Sequence, residues 1–168
     1  MNLRRSTAVA LLSLTPAMSA VAVEPVIAGS VPPDPERLAR GEYLTRVSGC
    51  HDCHTPGYSQ SAGQVPHDAW LTGDTTAWEG PWGTTFASNL RLTLLRFNDE
   101  QWLDYARSLR TAPPMPWFNL AAMSDHDLLS ILTFVQWLGP KGEPAPPALA
   151  PGDTWIGPTI QFTHRSPD

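Results

Sequence analysis

Cys50-His51-Asp52-Cys53-His54 sets two thiols three residues apart and an imidazole directly after the second. Residues at that spacing on one helical turn stand on the same side of the chain. Two such thiols can add to the two vinyl groups along one edge of a flat macrocycle, and His54 then sits where a ring nitrogen can reach the metal at its centre. Cys-x-x-Cys-His is for this reason the attachment pattern of c-type haem, with the histidine as proximal iron ligand. Two other chemistries use paired thiols. A redox dithiol of the thioredoxin kind needs a βαβ setting, and the flanking sequence offers none. A zinc site needs two further ligands, and Cys50 and Cys53 are the only cysteines in the chain. Gly49 before the motif and Thr55-Pro56 behind it suit a tight turn pressed against a flat surface.

The N-terminus agrees with attachment after export. Arg4-Arg5, an apolar stretch from Ala8 to Leu14 and the small-x-small site Ala20-Val21-Ala22 predict a signal peptide over 1–22, cleaved before Val23. Thr15 and Pro16 interrupt the apolar run, which falls short of the ~20 residues a spanning helix needs. No transmembrane segment is therefore expected after cleavage. Twin arginines suggest the route for folded cargo, but haem is attached to an unfolded chain, so the general secretory route is expected. No cysteine lies near the cleavage site, which argues against a lipid anchor, and none remains for a disulfide in the oxidising periplasm. The remaining chain, roughly 145 residues, suits one domain. Loss of Arg4 and Arg5 moves the formal charge from −5 to about −7. That mild acidity counts against nucleic acid as a partner and for a soluble protein.

Three segments carry the helix signals that would position the motif. The first is predicted over 35–48, with Asp34 as N-cap, Pro35 in the first turn and Gly49 as stop. Leu38, Leu44 and Val47, with Gly41 and Tyr43, form the apolar side that leads to Cys50. The second is predicted over 99–109, where Asn98 and Gln101 have capping-box spacing and Trp102, Leu103, Ala106 and Leu109 repeat at helical intervals. The third follows Ser124 and runs over 125–138, stopped by Gly139-Pro140. Its eight apolar residues, Trp137 among them, predict that it is largely buried. The intervening 55–96 reads as loop, with a short strand conceivable over 89–95. So long a loop suits a compact fold only if it wraps a large apolar body such as a haem. The tail from Gly139 holds seven prolines, and Trp155, Ile156, Ile160 and Phe162 favour a strap laid over the domain. The expected division is an extension over 23–34, a haem domain over 35–139 and a Pro-rich strap over 140–168.

In these stretches the chain resembles the class I c-type cytochromes, and most of all the bacterial periplasmic ones related to haem units of dehydrogenase cytochrome subunits. The likeness is carried by Arg40-Gly41-Glu42-Tyr43-Leu44 ahead of the motif, by Ser88-Asn89-Leu90, by Pro113-Pro114-Met115-Pro116-Trp117 and by Met123-Ser124-Asp125-His126-Asp127-Leu128-Leu129. It spans about 35–139. The resemblance implies an all-α cytochrome c fold, with about three main helices and long loops wrapped around one covalently attached haem. It further implies that the first and last helices cross, with Gly41 at the crossing, and that His54 donates its other ring N–H to a carbonyl, for which Pro66 is the candidate.

The sixth iron ligand decides the function. After cleavage two methionines remain. Met115 stands among Pro113, Pro114 and Pro116, whose restricted φ angles suggest a stiff, extended segment able to hold a thioether over the iron. Met123 precedes the Ser124 N-cap, where an apolar residue commonly staples a helix start. Met115 is therefore preferred, and the resemblance points the same way; Met123 and the histidines His67, His126 and His164 stay open. Trp82, Asn89, Arg91 and Trp102 are candidate donors to the haem propionates. Ligation by His54 and Met115 implies an electron carrier and not an enzyme, passing electrons between a periplasmic dehydrogenase or quinol-oxidising complex and another cytochrome or a terminal oxidase. The alternative is a haem with a labile sixth ligand, acting as a gas sensor or peroxidase-like site.

Overall fold

The computed structural model describes residues 33–163. The signal peptide expected over 1–22, nearly all of the 23–34 extension and His164 lie outside the described residues.

Helix α1, Pro35–Val47, begins where Asp34 accepts the Glu36 N–H at 3.1 Å, and ends at Ser48. A turn at Gly49 leads straight into α2, Cys50–His54, which is the motif itself. Helix α4, Asp99–Ser108, carries the full capping box, with Asn98 and Gln101 each accepting the other's backbone N–H. Helix α6, Asp125–Leu138, starts where the Ser124 hydroxyl accepts the Asp127 N–H at 3.2 Å. Two short helices were not expected from the sequence: α3, Leu90–Thr93, and α5, Trp117–Ala122. The strand conceivable over 89–95 is instead α3 followed by a 3-10 turn, Leu94–Arg96. Asn89 decides this, because its side chain accepts the Leu92 N–H at 3.2 Å and starts a helix in an apolar run.

Helices α1 and α6 cross at Gly41. A Cβ there would stand 2.1 Å from the Ser130 carbonyl oxygen and 2.6 Å from Phe134 Cβ, so only glycine permits the contact. The core gathers on α6, where Leu128, Ile131, Leu132, Phe134 and Val135 are buried, and it takes in Leu44, Trp70 and Trp102 from the surrounding elements. Two expectations need correction. Tyr43 and Val47 are 54% and 59% exposed, because Gly41, Leu44 and Thr45 centre the buried face of α1 and turn these two away from it. Trp137 is 52% exposed, lying in the last turn of α6 and stacked on the outer side of Phe134.

The 55–96 stretch holds regular structure that its sequence conceals. Strands β1, Ala77–Gly80, and β2, Gly83–Phe86, form an antiparallel hairpin closed by Pro81-Trp82. The tail returns to it: Leu149 and Thr84 exchange backbone hydrogen bonds, and β3, Thr159–Gln161, pairs in parallel with β1. The sheet order is β2-β1-β3. The described residues thus combine six helices with a three-stranded sheet, where about three main helices and long loops were expected. None of the described helices is long and apolar enough to cross a membrane.

Candidate functional site

Helix α2 carries Cys50, Cys53 and His54 on little more than one turn, with both thiols free. Cys50 packs against the core, and burial pushes its thiol up to about 11. Cys53 is raised in the same direction, by burial first and then by the charges of Asp52 and Asp74. His54 is 8% exposed. Its Nδ1 lies 2.7 Å from the Ser88 carbonyl oxygen, which can only accept, so Nδ1 carries the proton and Nε2 the lone pair. Nε2 has no hydrogen-bond partner among the described residues. Burial holds the ring below the ordinary histidine value, and therefore neutral and able to ligate.

Ser88 takes the place expected for Pro66. The Pro66 carbonyl is committed locally, accepting the Ala69 N–H at 2.9 Å at the start of the 3-10 turn His67–Ala69. The Ser88 carbonyl is brought to His54 by close pairing of 71–74 with 87–91: Asp74 N–H donates to Ala87 O at 3.1 Å and Leu90 N–H to Leu71 O at 3.0 Å, while Gly73 N–H donates to His54 O at 2.8 Å. Gly73 has φ +80°, and a Cβ there would stand 2.8 Å from Asn89 N and 2.9 Å from Ala87 O. A larger residue would push the Ser88 carbonyl away from the imidazole.

His51, between the two cysteines, carries no sequence signal of its own and is fully buried. It stacks on Tyr58 with ring centroids 4.7 Å apart and meets Trp70 edge-on. Its Nδ1 lies 2.8 Å from Thr55 Oγ1 and its Nε2 3.3 Å from Thr45 Oγ1. Thr45 donates its own proton to Glu42 O, so it accepts from Nε2–H; Thr55 Oγ1 accepts the Leu71 N–H at 2.8 Å and donates to Nδ1. Every donor then has an acceptor, but only for the neutral ring. Burial, first, and the Arg46 charge, second, push its pKa down to about 4. No spacing rule marks such a residue, because its partners come from α1, α2 and the loop beyond.

A cleft opens beside Cys53, lined by Asp52, Asp74 and Thr76 and by Trp78 and Ile160 of the sheet. The Met115 segment reaches the same sheet, since Thr85 Oγ1 donates to Pro113 O at 2.8 Å. Pro113 and Pro114 form a turn and not the extended run expected, and Met115 follows half-buried, its carbonyl accepting the Trp117 N–H at 2.9 Å as α5 begins. Met123 packs against the core at the end of α5, as a helix-start staple should. Of the open histidines, His67 leans on Trp70 at the surface and His126 is exposed beside Asp127. Three of the four propionate candidates are otherwise engaged. Trp102 Nε1 donates to Leu128 O at 2.7 Å, Asn89 Nδ2 to Lys141 O at 2.7 Å and Glu143 O at 3.1 Å, and Arg91 to the carbonyls of Asp68, Leu138 and Gly139. Of the four, only Trp82 Nε1 is buried without a partner among the described residues, and Trp155 Nε1 is in the same position.

No protein-family model, curated protein or solved structure matches the chain. Chemistry must therefore speak for the site. Among the described residues no three His, Cys, Asp or Glu side chains converge into a set that holds a bare metal ion. A haem asks for less: two reduced thiols on one turn, and an imidazole whose proton is fixed on the nitrogen facing away from the iron. Cys50, Cys53 and His54 meet that requirement.

Proposed function

We propose that the chain is a periplasmic electron carrier of the class I cytochrome c kind, its fold a helical cytochrome c domain with a small sheet added. It holds one haem c through Cys50 and Cys53, with His54 and Met115 as axial ligands. One observation carries the reading: His54 Nδ1 donates to the Ser88 carbonyl directly beside two free thiols at attachment spacing, which leaves Nε2 as a fixed lone-pair donor. The haem supplies a one-electron couple when bound. His54, held by Ser88, presents an oriented donor. Met115 would supply the second ligand, a neutral thioether, which would favour Fe(II) more than a second imidazole does and leave no open site for a substrate. Partners in this reading are redox proteins, with a periplasmic dehydrogenase or quinol-oxidising complex as donor and a cytochrome or terminal oxidase as acceptor.

Intact-mass and visible spectra of the exported protein test it. One haem should be added to a chain beginning near Val23, resistant to acidic acetone. A haem-free mass overturns the proposal. Met115→Ala should abolish the weak far-red band of thioether-ligated ferric haem, lower the potential and admit carbon monoxide, while Met123→Leu should leave the spectrum unchanged. Rapid carbon monoxide binding by the parent would turn the reading into one of a ligand-binding haem.

A further inference from the structure

The carbonyl that orients His54 belongs to the peptide unit joining Ser88 to Asn89. A peptide unit is planar, so the Ser88 C=O and the Asn89 N and Cα can only turn together. Asn89 is 2% exposed, and its side chain is tied at both ends. Its Nδ2 donates to Lys141 O at 2.7 Å and to Glu143 O at 3.1 Å, which uses both amide protons, and its Oδ1 accepts the Leu92 N–H at 3.2 Å. Carbonyls only accept and a backbone N–H only donates, so the amide fits one way round. Lys141 and Glu143 are at the root of the C-terminal strap, and Gly142 between them has φ +75°. A Cβ on Gly142 would stand 3.3 Å from Asn89 Nδ2 and 3.5 Å from Thr72 Cβ. Strap and proximal histidine therefore meet at one residue.

We propose that Asn89 is a positioning residue through which the C-terminal strap fixes the proximal ligand. The strap carbonyls hold the Asn89 amide, Asn89 holds the Ser88 carbonyl, and that carbonyl holds His54 Nδ1–H. The proposal rests on the haem reading above. Asn89 acts only through Ser88 and is not itself a ligand. A hydrogen bond at Nδ1 makes Nε2 the more basic donor, which favours Fe(III). Loosening that bond therefore favours Fe(II). Complete loss of a hydrogen bond of ordinary strength changes an equilibrium by about fivefold, which bounds the effect.

The full-length exported protein tests this in three variants, each first shown by mass to carry haem. Asn89→Ser keeps a cap for α3 but is too short to reach the strap. Gly142→Ala leaves Asn89 in place and wedges its acceptors away. The two break the link from opposite ends, so either can decide. Each should raise the ferrous-to-ferric ratio at fixed potential by up to about fivefold, or about 40 mV for one electron. Each should also speed solvent exchange of the His54 Nδ1 proton, read by NMR in the ferrous protein. Asn98→Ala, which removes the N-cap of α4, should lower stability and leave potential and exchange at parent values. A parent without haem overturns the haem reading and this proposal with it. In haem-loaded protein, an unchanged or lowered potential in Asn89→Ser or Gly142→Ala overturns this proposal alone. So does an unchanged proton exchange, or an equal shift in Asn98→Ala.

Discussion

Ionisation of His51 has a direct consequence for stability. The ring is neutral in the fold with a pKa pushed down to about 4 from an ordinary 6.5. A protonated Nδ1 would confront Thr55 Oγ1, which already accepts the Leu71 N–H and would have nowhere to place its own proton. Of the titratable groups around the ring, Arg46, His54 and His67 act against its charge, Arg46 foremost, and Tyr58 stacks on its face. Between pH 6.5 and 4 the unfolded chain therefore binds more protons than the folded one. The stability this group contributes is full above about 6.5 and lost as pH falls through that window, by roughly 3 kcal/mol in all. Urea midpoints of the parent should fall across this range. In His51→Gln the acid-dependent loss should shrink, at a cost of about 1–3 kcal/mol at pH 7 from the broken network. An unaltered pH slope in His51→Gln would falsify the assignment. Ser88 teaches a related lesson: a backbone carbonyl has no side-chain type to advertise it, so the partner of His54 was invisible until 71–74 and 87–91 were brought together.

Helices α1 and α6 form the frame that presents the motif, and their crossing leaves no room. Gly41→Leu should lower the unfolding free energy by about 1–3 kcal/mol or more through overpacking, read from the denaturant midpoint at constant slope. A variant melting like the parent would place the crossing elsewhere. The ion pairs flanking it, Arg37 with Asp99 and Arg40 with Asp127, are partly exposed and add little beside packing. Arg91 acts on the same helix from its far end. Its guanidinium is buried and donates to the Leu138 and Gly139 carbonyls, satisfying the C-terminal acceptors of α6 where the negative end of the helix dipole lies. That role explains a buried arginine which the sequence alone marked as a propionate partner.

Charge is segregated across the molecule. No Lys or Arg occurs over 47–90 or over 142–163, the stretches that supply the motif, the hairpin and the strap. Asp52 and Asp74 line the cleft beside Cys53, and neither joins an ion pair among the described residues, whereas Asp68 is paired to Lys141. An acidic field at the cleft should draw cations and repel anions within about 10 Å at 0.1 M salt. A small cationic reagent such as hexaammineruthenium should therefore exchange electrons with the protein faster than expected from driving force alone, and hexacyanoferrate more slowly. The gap should narrow as ionic strength rises. Equal salt dependence for both reagents would remove the field from the account.

Local rules decided what the sequence could decide alone. The Cys50-x-x-Cys53-His54 spacing, the caps at Asp34, Asn98 and Ser124 and the helical repeats of α1, α4 and α6 depend on neighbours within four residues, and each is where it was expected. Tertiary structure decided what depends on distant partners. The hairpin at 77–86 has too few alternating residues to declare itself and gains its third strand from a segment more than 70 residues on. Tyr43, Val47 and Trp137 are as apolar as their buried neighbours, and only the placement of α1 against α6 left them outside. His51 and Ser88 acquire their roles from hydrogen bonds whose other halves lie on separate elements, so no pattern along the chain could have named them.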